Sequence, residues 1–341
     1  MPLTIEDFQG SGSEWDGFVR SQPAWTHFHL HGWRGVFQRV LGHQCPYLAA
    51  RTPDGALAGV LPLVRVKSML FGHFLVSQPF VNYGGPLGSA DAVRALAAHA
   101  VGMAERTRAG LLEFRCRTEL PLDLPASHRK VTVVLDLDPA DPERTFKRFD
   151  SKLRSQIRRP IKEGVTVRFG LDQIQPFFQV FARHMRDLGT PTQPAALFSA
   201  LAEEFPESMW VACAYLGEEP IAGGAGFRWD AEFEMTWAAS LQVHSRIAPN
   251  MLVYWSFMDR CIQQGVTLFN FGRTTPGSGT HRFKLQWGSR DEPLWWYQRS
   301  AGMAKTPSPD DARYSWGPRI WQRLPVPLAT AIGPWVVRGI P

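Results

Sequence analysis

Three cationic side chains flank a glycine-rich segment near the end of the chain. The run FNFGRTTPGSGTHRFKLQWG spans residues 269–288 and contains Arg273, Arg282 and Lys284. The pattern predicts a buried strand, a flexible turn over 274–279 and a second extended run. Because strand side chains alternate, Arg282 and Lys284 would then share one face. Cations beside backbone N–H groups suit an anion, or an oxygen that becomes anionic during a reaction, although a solvated hairpin with charged edges gives the same pattern.

A second candidate binding segment is strongly basic. Residues 143–168 hold nine Lys or Arg and three acids, and this excess equals the net charge of +6 of the whole chain. Apolar residues at helical spacing predict an amphipathic helix with a cationic outer surface; they are Phe146, Phe149, Leu153 and Ile157. Arginine suits phosphate because its planar fork donates two hydrogen bonds, and a solvated basic face is the alternative. Pro160 is expected to end or kink the helix after Arg159.

Composition limits the class of protein. A chain of 341 residues can bury a large core and is expected to hold two domains. The four cysteines form no CxxC pair, which argues against a zinc site or a disulfide scaffold. His27, His29 and His31 alternate on a segment (24–41) predicted to be helical, where their rings would diverge, so no metal site is expected. Neither a signal peptide nor a membrane-spanning apolar run is expected, which favours the cytoplasm.

The two halves of the sequence follow the same order of expected elements. RTPDGALAGVLPL corresponds to YLGEEPIAGGAGF, and LLEFRCR corresponds to TLFNFGR after a helix of similar length. Repeated order with matching turn chemistry indicates a duplicated α+β unit, with chance similarity of two such halves as the alternative. The predicted domains are residues 1–138 and 139–300, the latter starting with a basic linker helix over 139–163. A tail follows over 301–341.

Each half resembles the GNAT acyltransferase fold, and two halves in tandem resemble the Fem-type peptidyltransferases. The run at 269–288 resembles the closing signature of FemAB-like proteins, above all the subgroup associated with exosortase (PEP-CTERM) systems. SQPFVNYGGPLG (77–88) and APNMLVYW (248–255) also fit this subgroup. The resemblance covers about residues 20–300. It implies an α+β fold of two tandem GNAT-like domains, with mixed, mainly antiparallel central sheets flanked by helices.

The resemblance implies catalytic roles for two residues. In Fem-type enzymes a lysine of the closing Phe-Lys motif stabilises the oxyanion of a tetrahedral intermediate, and Lys284 stands at that position. The attacking amine must also lose a proton, for which Glu234, the substrate or water are the candidate acceptors. The usual Asp of the strand motif is replaced by Asn270. If that Asp serves as a base, we expect this replacement to reduce activity.

The resemblance further implies a set of substrate contacts. The Lys-x-Arg motif of the Fem linker helix corresponds to Lys152 and Arg154, which with Arg158 imply contact with a phosphate-bearing substrate or tRNA. Helix N-termini bind anions, so the start of the helix at 248–255 is a further candidate. The other implied contacts are Tyr83, Gly84, Gly85, Asn250, Asn270, Arg273 and Arg282. A packed loop at 77–88 and a purely structural helix start are the alternatives.

The implied reaction transfers an acyl or aminoacyl group to an amine of a cell-envelope or exopolysaccharide-related precursor. The donor is acyl-CoA or aminoacyl-tRNA, and no tightly bound cofactor is expected. Residues 242–250 lack the glycines of the usual acyl-CoA loop, which favours an aminoacyl ester. One alternative is an acyl-CoA-dependent N-acyltransferase. Another is a catalytically inactive module that binds an anionic glycan, a lipid or RNA.

The tail contains Trp316, Trp321 and Trp335 among prolines and arginines. It is predicted to pack on the first domain, because no long amphipathic helix is evident. Peripheral contact with the inner membrane is the alternative, since Trp and Arg suit a membrane interface.

Overall fold

The computed structural model describes residues 2–300 and 316–341, which cluster into two compact units. The first unit contains residues 2–130, 293–300 and 335–341, and the second contains 131–292 and 316–334. Each unit has its own mixed sheet with helices packed on it. The α+β class with two separate sheets is therefore confirmed.

In the first unit, helices accompany a sheet in the order β1-β2-β3-β4-β6-β15-β7, with β5 paired to β3. The strands are β1 Thr4–Asp7, β2 Tyr47–Arg51, β3 Leu57–Ser68, β4 Gly72–Ser77, β5 Leu87–Gly88, β6 Leu111–Cys116, β7 Ala126–Ser127 and β15 Trp295–Ser300. The helices are α1 Gly12–Arg20, α2 Gly32–Leu41 and α3 Ala90–Arg106. The core lies between the sheet and α3, whose alanines at 92, 97, 100 and 104 allow close packing.

In the second unit, the sheet has the order β14-β8-β13-β12-β11-β10-β9. The strands are β8 Val131–Asp136, β9 Val165–Phe169, β10 Met209–Leu216, β11 Glu219–Trp229, β12 Glu232–Ser240, β13 Leu268–Thr274 and β14 Arg290–Pro293. The helices are α4 Pro142–Arg148, α5 Ser151–Lys162, α6 Ile174–Asp187, α7 Ala195–Glu204, α8 Pro249–Gln263, α9 Gly279–Leu285, α10 Trp316–Trp321 and α11 Val326–Val337, of which α11 ends in the first unit. Stacked rings of Trp210, Phe233 and Phe257 lie in the core between sheet and α8.

The internal repeat is present in both units. The series β2–β3–β4–α3–β6 in the first unit matches β10–β11–β12–α8–β13 in the second. In each series the first three strands are antiparallel neighbours, and the last strand returns parallel to the third. A helix makes this crossover because parallel strands cannot be joined by a tight turn.

The histidine segment is less helical than expected. His27–His29 form a single 3-10 turn, and α2 begins only at Gly32. His29 is held by polar partners, because its Nδ1 lies 3.0 Å from Thr26 Oγ1 and its Nε2 lies 3.1 Å from the Gly85 carbonyl oxygen. Across residues 2–300 and 316–341, no three His, Cys, Asp or Glu side chains are grouped so that they could hold a metal ion.

The basic segment forms two helices rather than one. The break lies at Phe149 and Asp150, where the Asp150 carboxylate accepts a hydrogen bond from the Leu153 N–H and starts α5. Contrary to expectation, α5 continues through Pro160 to Lys162. The expected apolar stripe still packs into the core of the second unit, where Phe149, Leu153 and Ile157 are buried.

The described part of the predicted tail is mostly in the second unit. Residues 316–334 belong to that unit, where Arg186 Nη1 donates to the Leu324 carbonyl and Gln322 Nε2 donates to the Asp187 carbonyl. Residues 335–341 belong to the first unit. The first part of the tail, 301–315, lies outside the described residues. No helix in the described ranges has the length and apolar character needed to cross a bilayer.

Candidate active site in the second unit

The parallel strands β12 and β13 pair over only three residues before they separate. The paired positions are Glu232 with Leu268, Phe233 with Phe269, and Glu234 with Asn270. Both strands continue beyond this point, to Ser240 and Thr274 respectively. A gap between adjacent strands exposes backbone groups that the ladder would otherwise use. The end of this short ladder is therefore a natural place for a ligand.

Irregular pairing on both sides of the ladder favours the separation. The register of β12 with β11 shifts between Ala225 and Phe227, opposite the stretch from Glu234 to Trp237. The register of β13 with β8 shifts between Asn270 and Arg273. Bulges bend a strand and re-aim its side chains, and they are common next to active sites.

Lys284 lies at this gap with its ammonium group buried. The side chain is 4% exposed. Its Nζ donates to the carbonyl oxygens of Gly272, at 2.7 Å, and of Arg273, at 2.9 Å. Both carbonyls belong to β13 just beyond the last residue paired with β12. Two fixed acceptors orient the ammonium group, which has a third N–H to offer.

Burial sets the protonation of Lys284. Loss of water lowers the pKa of its ammonium group from the usual 10.5 to about 7, against the opposing effect of the Glu234 carboxylate, while Arg273 lowers the pKa further. Glu234 itself is fully buried on β12. A lysine that is half protonated near neutral pH can both donate and accept a proton. The structure thus brings together the two residues expected to be catalytic.

Asn270 is the centre of a buried hydrogen-bond network. Its Nδ2 donates to Glu232 Oε1 at 2.7 Å. Its Oδ1 accepts from the Thr132 hydroxyl and from the Gly272 N–H, both at 2.8 Å. An amide suits this position because it donates on one side and accepts on the other, whereas an ionised Asp can only accept. Asn270 therefore braces the bulge of β13 that presents the Gly272 carbonyl to Lys284.

The expected second extended run does not exist. The Ser278 hydroxyl accepts a hydrogen bond from the His281 N–H and starts helix α9, so a Ser cap overrides the alternating pattern. Arg282 and Lys284 consequently lie on different sides of a helix, with Arg282 exposed and Lys284 buried. Arg282 Nη1 donates to the Gly277 carbonyl at 2.7 Å. Arg282 thus binds a carbonyl oxygen of the glycine-rich turn, whereas Lys284 binds carbonyl oxygens at the end of β13.

The expected contacts in loop 77–88 lie in the first unit. Tyr83 is fully buried, with its ring 5.9 Å from that of Phe28. The N–H groups of Gly84 and Gly85 both donate to the Arg115 carbonyl at 3.0 Å. A Cβ at Gly85 would approach Cys116 Sγ to 2.3 Å, so this close approach requires glycine.

This loop fills the first unit's counterpart of the β12–β13 gap. Strands β4 and β6 are parallel from Phe74 with Leu111 to Val76 with Glu113. Beyond that pair, the Ser77 hydroxyl oxygen accepts a hydrogen bond from the Arg115 N–H. The Arg115 carbonyl accepts hydrogen bonds from the N–H groups of Gly84 and Gly85. The backbone groups at the end of this ladder are therefore used by the chain itself.

The cationic face of α5 and the start of α8 are neighbours within the second unit. Arg159 Nη1 donates to the Arg246 carbonyl at 3.1 Å, in the 3-10 turn that precedes α8. Lys152 and Arg158 are exposed on α5, and Arg158 stacks on Phe146. Arg154 is half-buried and donates to the Lys147 carbonyl. Asn250 is half-buried in the first turn of α8, which has no side-chain cap.

Sequence reasoning missed three polar residues of this region. Glu232 and Thr132 complete the Asn270 network. Thr236 lies at the bulge of β12, and its buried hydroxyl oxygen has no hydrogen-bond partner among the described residues. The alternation of polar residues at 232, 234 and 236 in an otherwise apolar strand was the available signal.

Replacement of Lys284 by Met is expected to stabilise the protein at neutral pH. The pKa of Lys284 falls on folding, so the unfolded chain binds a proton between about pH 7 and 10.5 that the folded chain does not. The unfavourable contribution is therefore complete below pH 7 and disappears towards pH 10.5. We expect Lys284→Met to raise the free energy of unfolding by roughly 1–3 kcal/mol near pH 7 and by less near pH 10, measured by denaturant titration.

Arg282→Met is the matched control, because Arg282 is an exposed cation of the same helix. Its effect should stay within about 0.5 kcal/mol. A destabilised Lys284→Met protein at pH 7 would instead make the ammonium group a structural tie between α9 and β13.

Replacement of Asn270 by Asp is expected to destabilise the second unit. The new carboxylate would face Glu232 without a donor between them, and the burial of two like charges is costly. We expect a loss of about 2–4 kcal/mol at neutral pH, and a smaller loss in acid where one carboxyl group is protonated. Asn250→Asp, in the first turn of α8, is the control and should be neutral or stabilising. Undiminished stability combined with higher activity would instead show that a carboxylate at position 270 serves as a catalytic base.

Comparison with known proteins agrees with this architecture. Residues 147–285, from α4 to α9, match the family profile described as acetyltransferase (GNAT) domain. The crystal structure of FemX is similar with a TM-score of 0.64 at 15% identity, over 87% of this chain and 97% of that one. A tandem GNAT protein from the clavulanic acid biosynthesis pathway gives a TM-score of 0.57 at 13% identity, over 90% and 100%.

The C-terminal domain of a putative lysylphosphatidylglycerol synthetase from Agrobacterium fabrum is also similar. Its TM-score is 0.55 at 12% identity, over 86% of this chain and 93% of that one. A search of curated proteins gives no match to the sequence. At these identities the structures show a shared fold. Residues 147–285 thus match a GNAT acetyltransferase domain profile, and the chain has a tandem GNAT-like fold similar to that of FemX.

Proposed function

We propose that the second unit transfers an acyl or aminoacyl group to an amine and so forms an amide. The observation that carries this proposal is the buried Lys284 ammonium group beside Glu234, at the point where β12 and β13 separate. The site lies within the residues that match the GNAT acetyltransferase domain. We further propose that the acceptor is a cell-envelope or exopolysaccharide-related precursor, as the exosortase-associated resemblance implies.

The geometry supports a direct transfer. The neutral amine attacks the carbonyl carbon of the donor, the C–N bond forms and negative charge develops on the carbonyl oxygen. The third N–H of Lys284 stabilises that oxygen, because a fixed donor in a water-poor site needs no reorganisation during the reaction. The C–S or C–O bond to the leaving group then breaks. Glu234 accepts the proton that the amine loses, and the leaving group receives a proton from Lys284 or water.

Thr236 completes the proposed site. Its hydroxyl lies two residues beyond Glu234 on β12, at the bulge, and has no partner in the described chain. A buried hydroxyl without a partner costs free energy unless a ligand supplies one. We assign it to hydrogen bonding with the donor or the acceptor in the gap.

The donor carries phosphate in either case considered. Acyl-CoA is the co-substrate of GNAT domains, which supports it for residues 147–285. The absence of glycine from 242–250 and the cationic face of α5 support aminoacyl-tRNA. Arg159 joins this face to the turn before α8, so both features lie on one surface of the second unit. We propose Lys152, Arg154 and Arg158 as the phosphate contacts, with Asn250 at the adjoining helix start.

Replacement of Lys284 by Met or Arg is expected to lower the turnover number about 10²- to 10³-fold while donor binding is kept. Loss of one oxyanion donor affects the transition state more than the bound donor. Turnover is measured with acyl-CoA donors by released thiol, and with aminoacyl-tRNA donors by mass spectrometry, against a panel of amines. The four cysteines of the chain are buried, so they add little to a thiol signal.

Arg282→Met again serves as the control and should retain turnover. Loss of donor binding in Lys284→Met would make Lys284 a binding residue. Unchanged turnover would remove it from the mechanism. Transfer with acyl-CoA alone would identify an acyl-CoA-dependent N-acyltransferase.

Charge reversal on α5 is expected to weaken tRNA binding in a salt-dependent way. Lys152→Glu with Arg158→Glu removes two exposed cations, so the slope of log K against log salt should fall by about one per lost phosphate contact. Arg94→Glu, which replaces an exposed arginine on α3 of the first unit, is the control. Equal slopes for the native chain and the double variant would remove α5 as a tRNA contact, and acyl-CoA would then be the donor to test.

A further inference from the structure

Helix α11 presents an apolar stripe to solvent. Leu328, Ile332 and Trp335 are spaced by four and three residues, so they lie on one side of the helix, and all three are exposed. Trp335 is 73% exposed. Monomeric proteins seldom leave a row of large apolar side chains in water.

The opposite side of α11 is already used for packing. Ala329 is 2% exposed, and Gly333 is buried against the chain segment around Thr192. A Cβ on Gly333 would lie 2.9 Å from the Thr192 backbone nitrogen, so the two backbones are in close contact. The helix therefore cannot turn its stripe inward without losing this contact.

The charged side chains of the segment that contains α10 and α11 have one sign. Residues 316–341 contain Arg319, Arg323 and Arg338 and no Asp or Glu. Arg319, Arg323 and Arg338 are exposed, and the guanidinium of Arg338 lies 5.3 Å from the centre of the Trp335 ring. An apolar surface with cationic neighbours complements a membrane with anionic head groups.

We propose that the α11 stripe docks on an anionic lipid bilayer. Leu328, Ile332 and Trp335 enter the interface, and the arginines contact lipid phosphate. Tryptophan is suited to this depth because its ring is apolar and its N–H is polar. The surface is independent of the β12–β13 site, so the proposal stands whether or not the transfer reaction is confirmed.

The experiment is flotation of the full chain with phosphatidylglycerol-rich vesicles and with pure phosphatidylcholine vesicles. The native protein should float with the anionic vesicles and much less with the neutral ones. Ile332→Glu combined with Trp335→Glu should reduce partition at least about tenfold, because two apolar contacts are lost and two like charges are added. Arg319→Gln with Arg323→Gln should reduce partition by about fivefold per arginine, on anionic vesicles only.

Val243→Glu is the matched control, since Val243 is 66% exposed and far in sequence from the stripe. It should float like the native protein. All substituted side chains are exposed, and circular dichroism checks that each variant is folded. Failure of the native chain to float, or equal flotation of the Ile332→Glu/Trp335→Glu variant, would overturn the proposal. A native dimer in light scattering that this double variant converts to a monomer would assign the stripe to a second copy instead.

Discussion

The site depends on the early end of the parallel ladder between β12 and β13. Parallel strands normally continue side by side, because each unpaired backbone group loses a hydrogen bond. Here a bulge on each strand interrupts the register just past Glu234 and Asn270. The resulting gap exposes the Gly272 and Arg273 carbonyls, and these orient the Lys284 ammonium group. Without the separation, the lysine would have neither acceptors nor space.

The cost of this arrangement is concentrated in one charge. A buried ammonium group loses its hydration, and two backbone carbonyls compensate only in part, which is why its pKa falls to about 7. The Asn270 network works in the opposite direction, because every polar atom in it that holds the β13 bulge is hydrogen-bonded. The buried lysine thus lowers the stability of the fold, and the hydrogen-bonded Asn270 network offsets this loss, as is common where a fold maintains a reactive group.

The two units share one strand series but differ at the end of their parallel ladders. Both contain the same strand series, and both ladders stop after three pairs. In the first unit Ser77, Gly84 and Gly85 occupy the backbone groups of Arg115 beyond the ladder. In the second unit a lysine from a short helix takes the corresponding place. The two units therefore differ in the segment that reaches the end of the ladder, which is the loop after β4 in the first unit and helix α9 after β13 in the second.

The sequence by itself determined the repeat and the strands that carry it most clearly, because apolar periodicity and turn residues such as Pro53-Asp54-Gly55 act locally. The family resemblance pointed to Lys284, and Glu234 was one of three candidate proton acceptors. Sequence reasoning missed helix α9, since a seven-residue helix has too few periodic positions and depends on the Ser278 cap. It could not reveal the role of Asn270, whose partners Thr132 and Glu232 are 138 and 38 residues away. Only the tertiary structure decided which cation is buried and which carbonyls hold it, because desolvation depends on distant segments that local patterns do not encode.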